Sequence, residues 1–229
     1  MNPALRRSSA HVFVESLTAP ALEADDARHL ERVLRLRVGE PISVSDGRGA
    51  WRICRFQTGG GLEPDTEIVT EPAGWPRITI GFALPKADRP EWIVQKLTEV
   101  GVDDIIVLYT ARSVTRWDDE RVDRQLAKLA RIAREAAMQS RRLFLPLING
   151  PVRLDAALGD GVALAETDGG PLALASPTVL IGPEGGWTDA ELIATPAHVG
   201  LGDTILRVET AALAAAAGLV ALRTSAAIF

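Results

Sequence analysis

Short runs in which apolar and polar residues alternate fill the first third of the chain: His11 to Val14, Pro41 to Asp46, Ala50 to Phe56 and Thr66 to Thr70. Asp-Gly and Gly-Gly-Gly turns separate them, and this punctuation predicts a small, strongly turned β domain. One helical stretch, Ala24 to Leu36, interrupts it. Breakers then cluster in Glu-Pro-Ala-Gly-Trp-Pro, Glu71 to Pro76, and mark a boundary. Beyond it, aliphatic runs at Ile78 to Leu84, Ile105 to Tyr109, Val162 to Glu166, Thr178 to Ile181 and Val199 to Leu201 alternate with helical patterns. The clearest helix is Asp118 to Ser140, with Val122, Leu126, Leu129, Ala133 and Ala136 along one side. Such alternation implies an α/β domain on a mainly parallel sheet with helices on both faces. Two domains are therefore expected, 1–73 and 74–229.

Two strand ends carry the candidate chemistry. After Thr178 to Ile181 come Gly182, Pro183, Glu184, Gly185 and Gly186, and then Trp187 and Thr188. Glycine allows positive φ and close approach of a ligand to main chain, while proline fixes the entry angle. Thr188 and Glu191 have capping-box spacing, which predicts a helix N-terminus beside the turn. The lysine and Ser/Thr of a phosphate loop are missing, which argues against a nucleotide triphosphate. The second strand end runs Leu201-Gly202-Asp203-Thr204-Ile205-Leu206-Arg207-Val208-Glu209 into an alanine-rich helix, Thr210 to Leu222, apolar nearly all round. Arg207 and Glu209 precede this element, where ionised groups are costly unless they pair, cap the helix or take part in chemistry. Two such loops at matching strand ends can close around one small ligand.

Composition narrows the function classes. A chain of 229 residues with 47% hydrophobic and 24% charged side chains can bury a substantial core and is expected to fold throughout. The start carries Arg6 and Arg7 with no apolar core behind them, and the alanine-rich end reads as too short and too weakly hydrophobic for a membrane span. Cys54 is the single cysteine, and a soluble cytoplasmic protein without disulfides is expected. His11, His29 and His198 are scattered, so no metal site is expected. A net charge of −5 excludes indiscriminate coating of nucleic acid and leaves local patches. One patch is Arg28, Arg32, Arg35 and Arg37 with His29, which Arg6 and Arg7 can join; the other lies between Arg112 and Arg142.

The motif Ile181 to Gly186 (IGPEGG), followed by LG…ILR.ETA from Leu201 to Ala211, resembles the signature of the ribosomal small-subunit uridine N3-methyltransferases, a branch of the knotted SPOUT methyltransferases. The resemblance extends to Leu84-Pro85-Lys86-Ala87-Asp88-Arg89, to Glu91 through Lys96, to Thr98 through Val102, to Glu135 through Ser140 and to His29 through Arg35. Three positions depart from it: Met138 replaces an expected glutamate, Arg141 a common glycine and Val208 a frequent threonine.

The resemblance implies a PUA-like RNA-binding barrel followed by a deep trefoil knot that brings the two loops together around S-adenosylmethionine. Leu180, Gly182, Pro183, Glu184, Gly185, Gly186, Leu201, Gly202, Ile205, Leu206 and Arg207 would form the cofactor site. Arg207 would stabilise charge on a uracil losing its N3 proton, and Glu209 would orient Arg207 or act as a base. Arg6, Arg7, Arg28, Arg32, Arg35, Lys86 and Arg89 would contact 16S ribosomal RNA in the small subunit, and the protein would be a homodimer. N3 lies on the Watson–Crick edge, so the target base must be unpaired or flipped out. A ribose 2′-O-methyltransferase and a non-catalytic RNA-binding assembly factor are the alternatives.

Overall fold

The computed structural model describes residues 2–86, 89–195 and 197–226. It divides into two units, one made of Met1–Ala73 with Arg134–Leu145, the other of Gly74–Ala133 with Pro146–Phe229.

In the first unit, Asn2 caps a short helix α1 (Pro3–Arg7) by accepting from the Ala4 N–H. Strand β1 (Ala10–Phe13) is buried at every position and pairs in parallel with β2 (Pro41–Ser45). β2 runs antiparallel to β3 (Ala50–Phe56), which also carries β4 (Leu62–Pro64) and β5 (Val69–Thr70). Three of the predicted strands are observed nearly as read. The run from Thr66 shortens to two residues, and β4 arises in a segment without alternation. Helix α2 (Ala24–Arg28) passes into one wider turn, His29–Val33, that buries Leu30 against Val12, Ile42, Val44 and Phe56. The helical pattern ends before Arg35, whose φ of 52° leaves the helical region.

Arg134 belongs to the long helix introduced below, yet it packs in this unit. Its guanidinium lies 2.7 Å from the Asp26 carboxylate and donates to the Phe13 carbonyl. Met138 packs on the same core and receives an Arg134 N–H at its sulfur. Arg141 adopts φ 57°, the left-handed region that glycine occupies without strain, which accounts for the glycine common at this place in the family signature. Here the arginine is held by hydrogen bonds to the Leu5 carbonyl and Ser8 Oγ.

His11 is buried between Ser43 Oγ and the Arg142 carbonyl, each at 2.9 Å. Burial pushes its pKa down to about 4 from the ordinary 6.5, so the folded protein holds it neutral. Between those values the unfolded chain binds a proton that the folded chain refuses, so stability falls as pH drops from about 6.5 to about 4. The loss expected from this group is on the order of 3 kcal/mol. Urea unfolding at pH 7 and pH 4.5 should show it in the wild type and not in His11→Gln, which keeps polar atoms but does not titrate. Equal pH dependence of the two proteins would sink the assignment.

The second unit is a six-stranded sheet. Its strands are β6 (Thr79–Ala83), β7 (Asp104–Tyr109), β8 (Leu147–Arg153), β9 (Val162–Gly170), β10 (Thr178–Ile181) and β11 (His198–Val199). They lie in the order β11-β9-β10-β6-β7-β8, and every pairing is parallel. Ile80, Phe82, Ile105, Val107, Val179 and Ile181 face one side, where they meet α3 (Arg89–Val100), the first part of α4 (Asp119–Ser140) and α7 (Val208–Ala226). Leu108, Leu164 and Leu180 face the other, under α5 (Leu154–Ala157) and Trp187. Gly81 lies close under two of those leucines: a Cβ there would stand 2.5 Å from Leu180 Cδ2 and 3.1 Å from Leu108 Cδ1, so a side chain would require them to move.

Helix α7 spans 19 residues, longer than the predicted stretch and long and apolar enough, by length and composition, to cross a membrane. It is used instead as packing. Ala211, Ala212, Ala215, Ala216 and Leu219 are buried in the core of this unit, and its helix neighbour there is α3. Near its end Arg223 pairs with Asp103 and donates to the Gly101 and Pro76 carbonyls, which fixes the helix across the start of β7.

Candidate functional site

Parallel pairing brings the carboxyl ends of β9 and β10 to one edge of the sheet, with Leu180 opposite Leu164. Ligands of open α/β sheets bind at such an edge. After β10 the chain turns through Pro183 to Gly186, closed by the Gly186 N–H on the Pro183 carbonyl at 2.8 Å, with φ of 70° at Gly186. Trp187 then folds back into the sheet, 5% exposed, and its indole N–H donates to the Ala165 carbonyl of β9. Gly182 must lack a side chain, since a Cβ would lie 2.9 Å from that indole. The predicted capping box forms at the start of α6 (Asp189–Ala194): Glu191 N–H meets Thr188 Oγ1, and Thr188 N–H meets Glu191 Oε2. Burial alone would raise the Glu191 pKa, but hydrogen bonds from the Ala111 and Thr188 main chain outweigh it and hold the carboxyl below its usual range.

The second loop approaches the same edge. Gly202 takes φ 128°, and α7 begins at Val208, two residues before the predicted Thr210, because the Arg207 carbonyl already accepts from Ala211 N–H at 2.8 Å. Arg207 is thus the residue at the helix entrance, and Glu209 sits in the first turn, where a carboxylate is favoured by the helix dipole.

Between the loops lies a cavity of about 430 Å³. Gly182, Pro183, Glu184, Gly186, Leu201, Gly202, Ile205, Leu206 and Arg207 line it. Leu180 and Gly185 do not: Leu180 faces the opposite side of the sheet beside Leu108 and Leu164, and the Gly185 carbonyl turns to Arg112. The wall also includes Ala165, Glu166 and Thr167 from β9, outside the loop motifs, together with Ile181, Trp187, Thr204, Val208 and Ala211, which lie in or beside those motifs but were not among the expected cofactor residues. The signal for the β9 residues was their place at the end of a predicted strand.

Arg207 is exposed, and it is the one basic residue on the described wall. Glu209 is not on the wall. Its Oε2 is buried, has no hydrogen bond among the described residues, and lies 3.8 Å from Arg89 Nη1 rather than in an ion pair with Arg207. The same Arg89 atom is 3.2 Å from Glu184 Oε1, so Arg89 links α3 to the first loop and to α7. Lys86 is exposed, whereas Ala87 and Asp88 fall outside the described residues. In the first unit Arg6, Arg7, Arg32 and Arg35 are exposed, and Arg28 is exposed but paired with Asp25. Val33, Leu34 and Val38 are also exposed in that basic stretch.

The cavity suits a compact, partly apolar cation. Ile181, Leu206 and Ala211 offer apolar surface, the glycine loops offer main-chain groups, and Glu166 and Glu184 place carboxylates of the complementary sign on the wall. S-adenosylmethionine, with an adenine, a sulfonium and an ammonium, matches that set.

Comparison with known proteins points the same way. An RNA methyltransferase domain model matches residues 73–220, and an RNA methyltransferase PUA domain model matches residues 22–62. The ribosomal RNA small subunit methyltransferase E of Mycobacterium bovis is 32% identical over 89% of this chain and 86% of its own length. The protein of the same description from Synechocystis is 34% identical over 85% of this chain and 70% of its own length. Among solved structures, a ribosomal RNA small subunit methyltransferase E from Neisseria gonorrhoeae bound to S-adenosyl methionine is 27% identical, covers 93% of this chain and 97% of its own, and superposes with a TM-score of 0.78.

Proposed function

Because the chain belongs to the ribosomal RNA small subunit methyltransferase E family, we propose that it methylates N3 of one uridine in 16S ribosomal RNA. S-adenosylmethionine-dependent methylation of small-subunit ribosomal RNA is carried by the family; the choice of base atom is our reading. The observation that supports it most is a single guanidinium, Arg207, on the wall of the cavity between the two signature loops.

When bound, S-adenosylmethionine supplies an already activated methyl carbon, so the chain has to bind, orient and keep water out. The residues along the two loops do this by holding donor and nucleophile in line. Uracil N3 carries a proton at neutral pH. Arg207 donates to a uracil carbonyl oxygen and stabilises the negative charge that spreads there as the proton leaves. Glu209 stands behind the wall and holds Arg89 close to Glu184, which fixes the geometry of the first loop relative to the start of α7. Exposed arginines of the PUA-matching unit, Arg28, Arg32 and Arg35, with Arg6 and Arg7, meet phosphates and leave the base to the cavity. Lys86, exposed as well, is assigned to the RNA backbone. We place the protein in the cytoplasm, with its substrate, as a homodimer; Ile205, 92% exposed at the cavity rim, is apolar surface for a partner subunit to cover.

The test is methyl transfer from labelled cofactor to small subunits lacking the modification, with bare 16S RNA alongside, followed by reverse transcription. An N3 methyl blocks pairing, so one new strong stop at a uridine is expected. Label without any stop would mean ribose methylation and overturn the N3 reading.

A further inference from the structure

The turn after β7 reaches the back of the cofactor loop. Thr110 to Ser113 is closed on itself, with Thr110 N–H on Ser113 Oγ at 2.9 Å and Ser113 N–H on the Thr110 carbonyl at 3.2 Å. From this turn Arg112 runs along Gly185 and Gly186: a Cβ on Gly185 would lie 3.5 Å from Arg112 Cβ, and one on Gly186 would lie 3.9 Å from Arg112 Nη1. Gly186 lines the cavity, while Gly185 and Arg112 do not, so the guanidinium lies behind the loop. Its Nη1 donates to the Gly185 carbonyl at 2.8 Å and to the Trp187 carbonyl at 2.9 Å. One residue earlier, Ala111 N–H donates to Glu191 Oε1 at 2.9 Å, and the other oxygen of that carboxylate caps α6. Two bonds to the loop and one to α6 just after it therefore tie this segment to a turn on β7, a strand separated from β10 by β6.

We infer that Arg112 is a positioning residue for the cofactor, acting through the carbonyls of Gly185 and Trp187 and never touching the ligand; the inference rests on the methyltransferase reading above. Three glycines in one short loop give it many conformations, and each must be lost when a ligand binds. Charge-assisted bonds to two of its carbonyls remove that freedom when the protein folds, so binding does not have to remove it. The effect falls on affinity and leaves the chemical step alone, because the reacting atoms lie on the other side of the loop.

Calorimetric titration of the full-length protein with S-adenosylmethionine, with steady-state kinetics, tests this. Arg112→Ala is expected to weaken binding by about tenfold and raise the cofactor KM alike, with kcat at saturating cofactor within about threefold of wild type. Arg112→Lys should recover part of the loss, since a single nitrogen makes both bonds. Arg77→Ala, which breaks the Arg77–Asp104 ion pair at the amino end of β7, serves as the control: it lowers the melting temperature and leaves the cofactor KM unchanged. Arg112→Ala behaving like Arg77→Ala would overturn the inference, as would a fall in kcat at fixed KM or a rise confined to the KM for RNA. Failure of the wild type to bind the cofactor overturns the methyltransferase reading itself, whereas the ratio of variant to wild type decides Arg112.

Discussion

Arg207→Ala is expected to slow methyl transfer by on the order of 10²- to 10³-fold, the usual cost of removing one donor aimed at developing negative charge. S-adenosylmethionine affinity should stay within about threefold, because the cavity wall near Arg207 is provided by main chain and by Leu201, Leu206 and Ala211, which remain. Stability should change by no more than about 0.5 kcal/mol. The side chain is exposed, and what the helix uses at this position is the carbonyl that accepts from Ala211, which alanine also has. Arg207→Lys keeps the charge but not the planar fork, so it should recover only a minor part of the rate. Single-turnover methylation at saturating cofactor, beside a binding titration, separates the two quantities. Full activity in the alanine variant would remove Arg207 from the chemistry. A loss of rate that merely follows a loss of affinity would make it a cofactor residue.

The site was legible where local chemistry leaves a mark. Glycines that must approach other groups, a proline that sets a turn, and the Thr188/Glu191 box each reflect interactions within a few residues, so the two loops and the start of α6 could be read directly. Strands of the central sheet were legible for the same reason: Thr178 to Ile181 and Ile105 to Tyr109 are continuous aliphatic runs, which burial on both faces demands. β8 was missed because Asn149-Gly150-Pro151 reads as a turn. In the fold, Gly150 is needed inside the strand, since a Cβ there would stand 2.4 Å from the Val107 carbonyl across the ladder. The end of β9 was missed as part of the site because the predicted strand stops at Glu166 and the residues after it, Thr167 to Gly170, resemble a loop; pairing with β10 and β11 continues the strand and brings Ala165, Glu166 and Thr167 to the cavity wall. Arg112 and Arg89 show the limit most plainly. Arg112 sits in a short turn and Arg89 at the first residue of α3, and each acquires its partners from segments about 70 or more residues away, which no local pattern encodes.

Trp187→Ala is expected to cost about 3–5 kcal/mol of stability and to weaken cofactor binding by at least about tenfold. The indole belongs to two structures at once. Its buried side packs with Leu108, Leu164 and Leu180 on the sheet face away from α7, and Leu192 of α6 packs against the same cluster. Another part of the same ring lies over Gly182 and closes the cavity wall. Truncation leaves a void in the first, opens the floor of the second, and strips the Ala165 carbonyl of the indole N–H. Trp187→Phe separates these effects. It keeps most of the apolar volume and loses the N–H, so it should cost about 1–2 kcal/mol and hold affinity within a few-fold. Should the alanine variant fail to fold, the phenylalanine variant still decides the matter by urea unfolding and cofactor titration. Wild-type stability in the alanine variant would mean that the ring is not core; a phenylalanine variant as weak in binding as alanine would mean that the hydrogen bond to β9, rather than the ring's bulk, shapes the cavity. The coupling explains why a motif dense in glycine ends on the largest side chain in the code: the loop is free to approach a ligand on one side because the tryptophan anchors it to the core on the other.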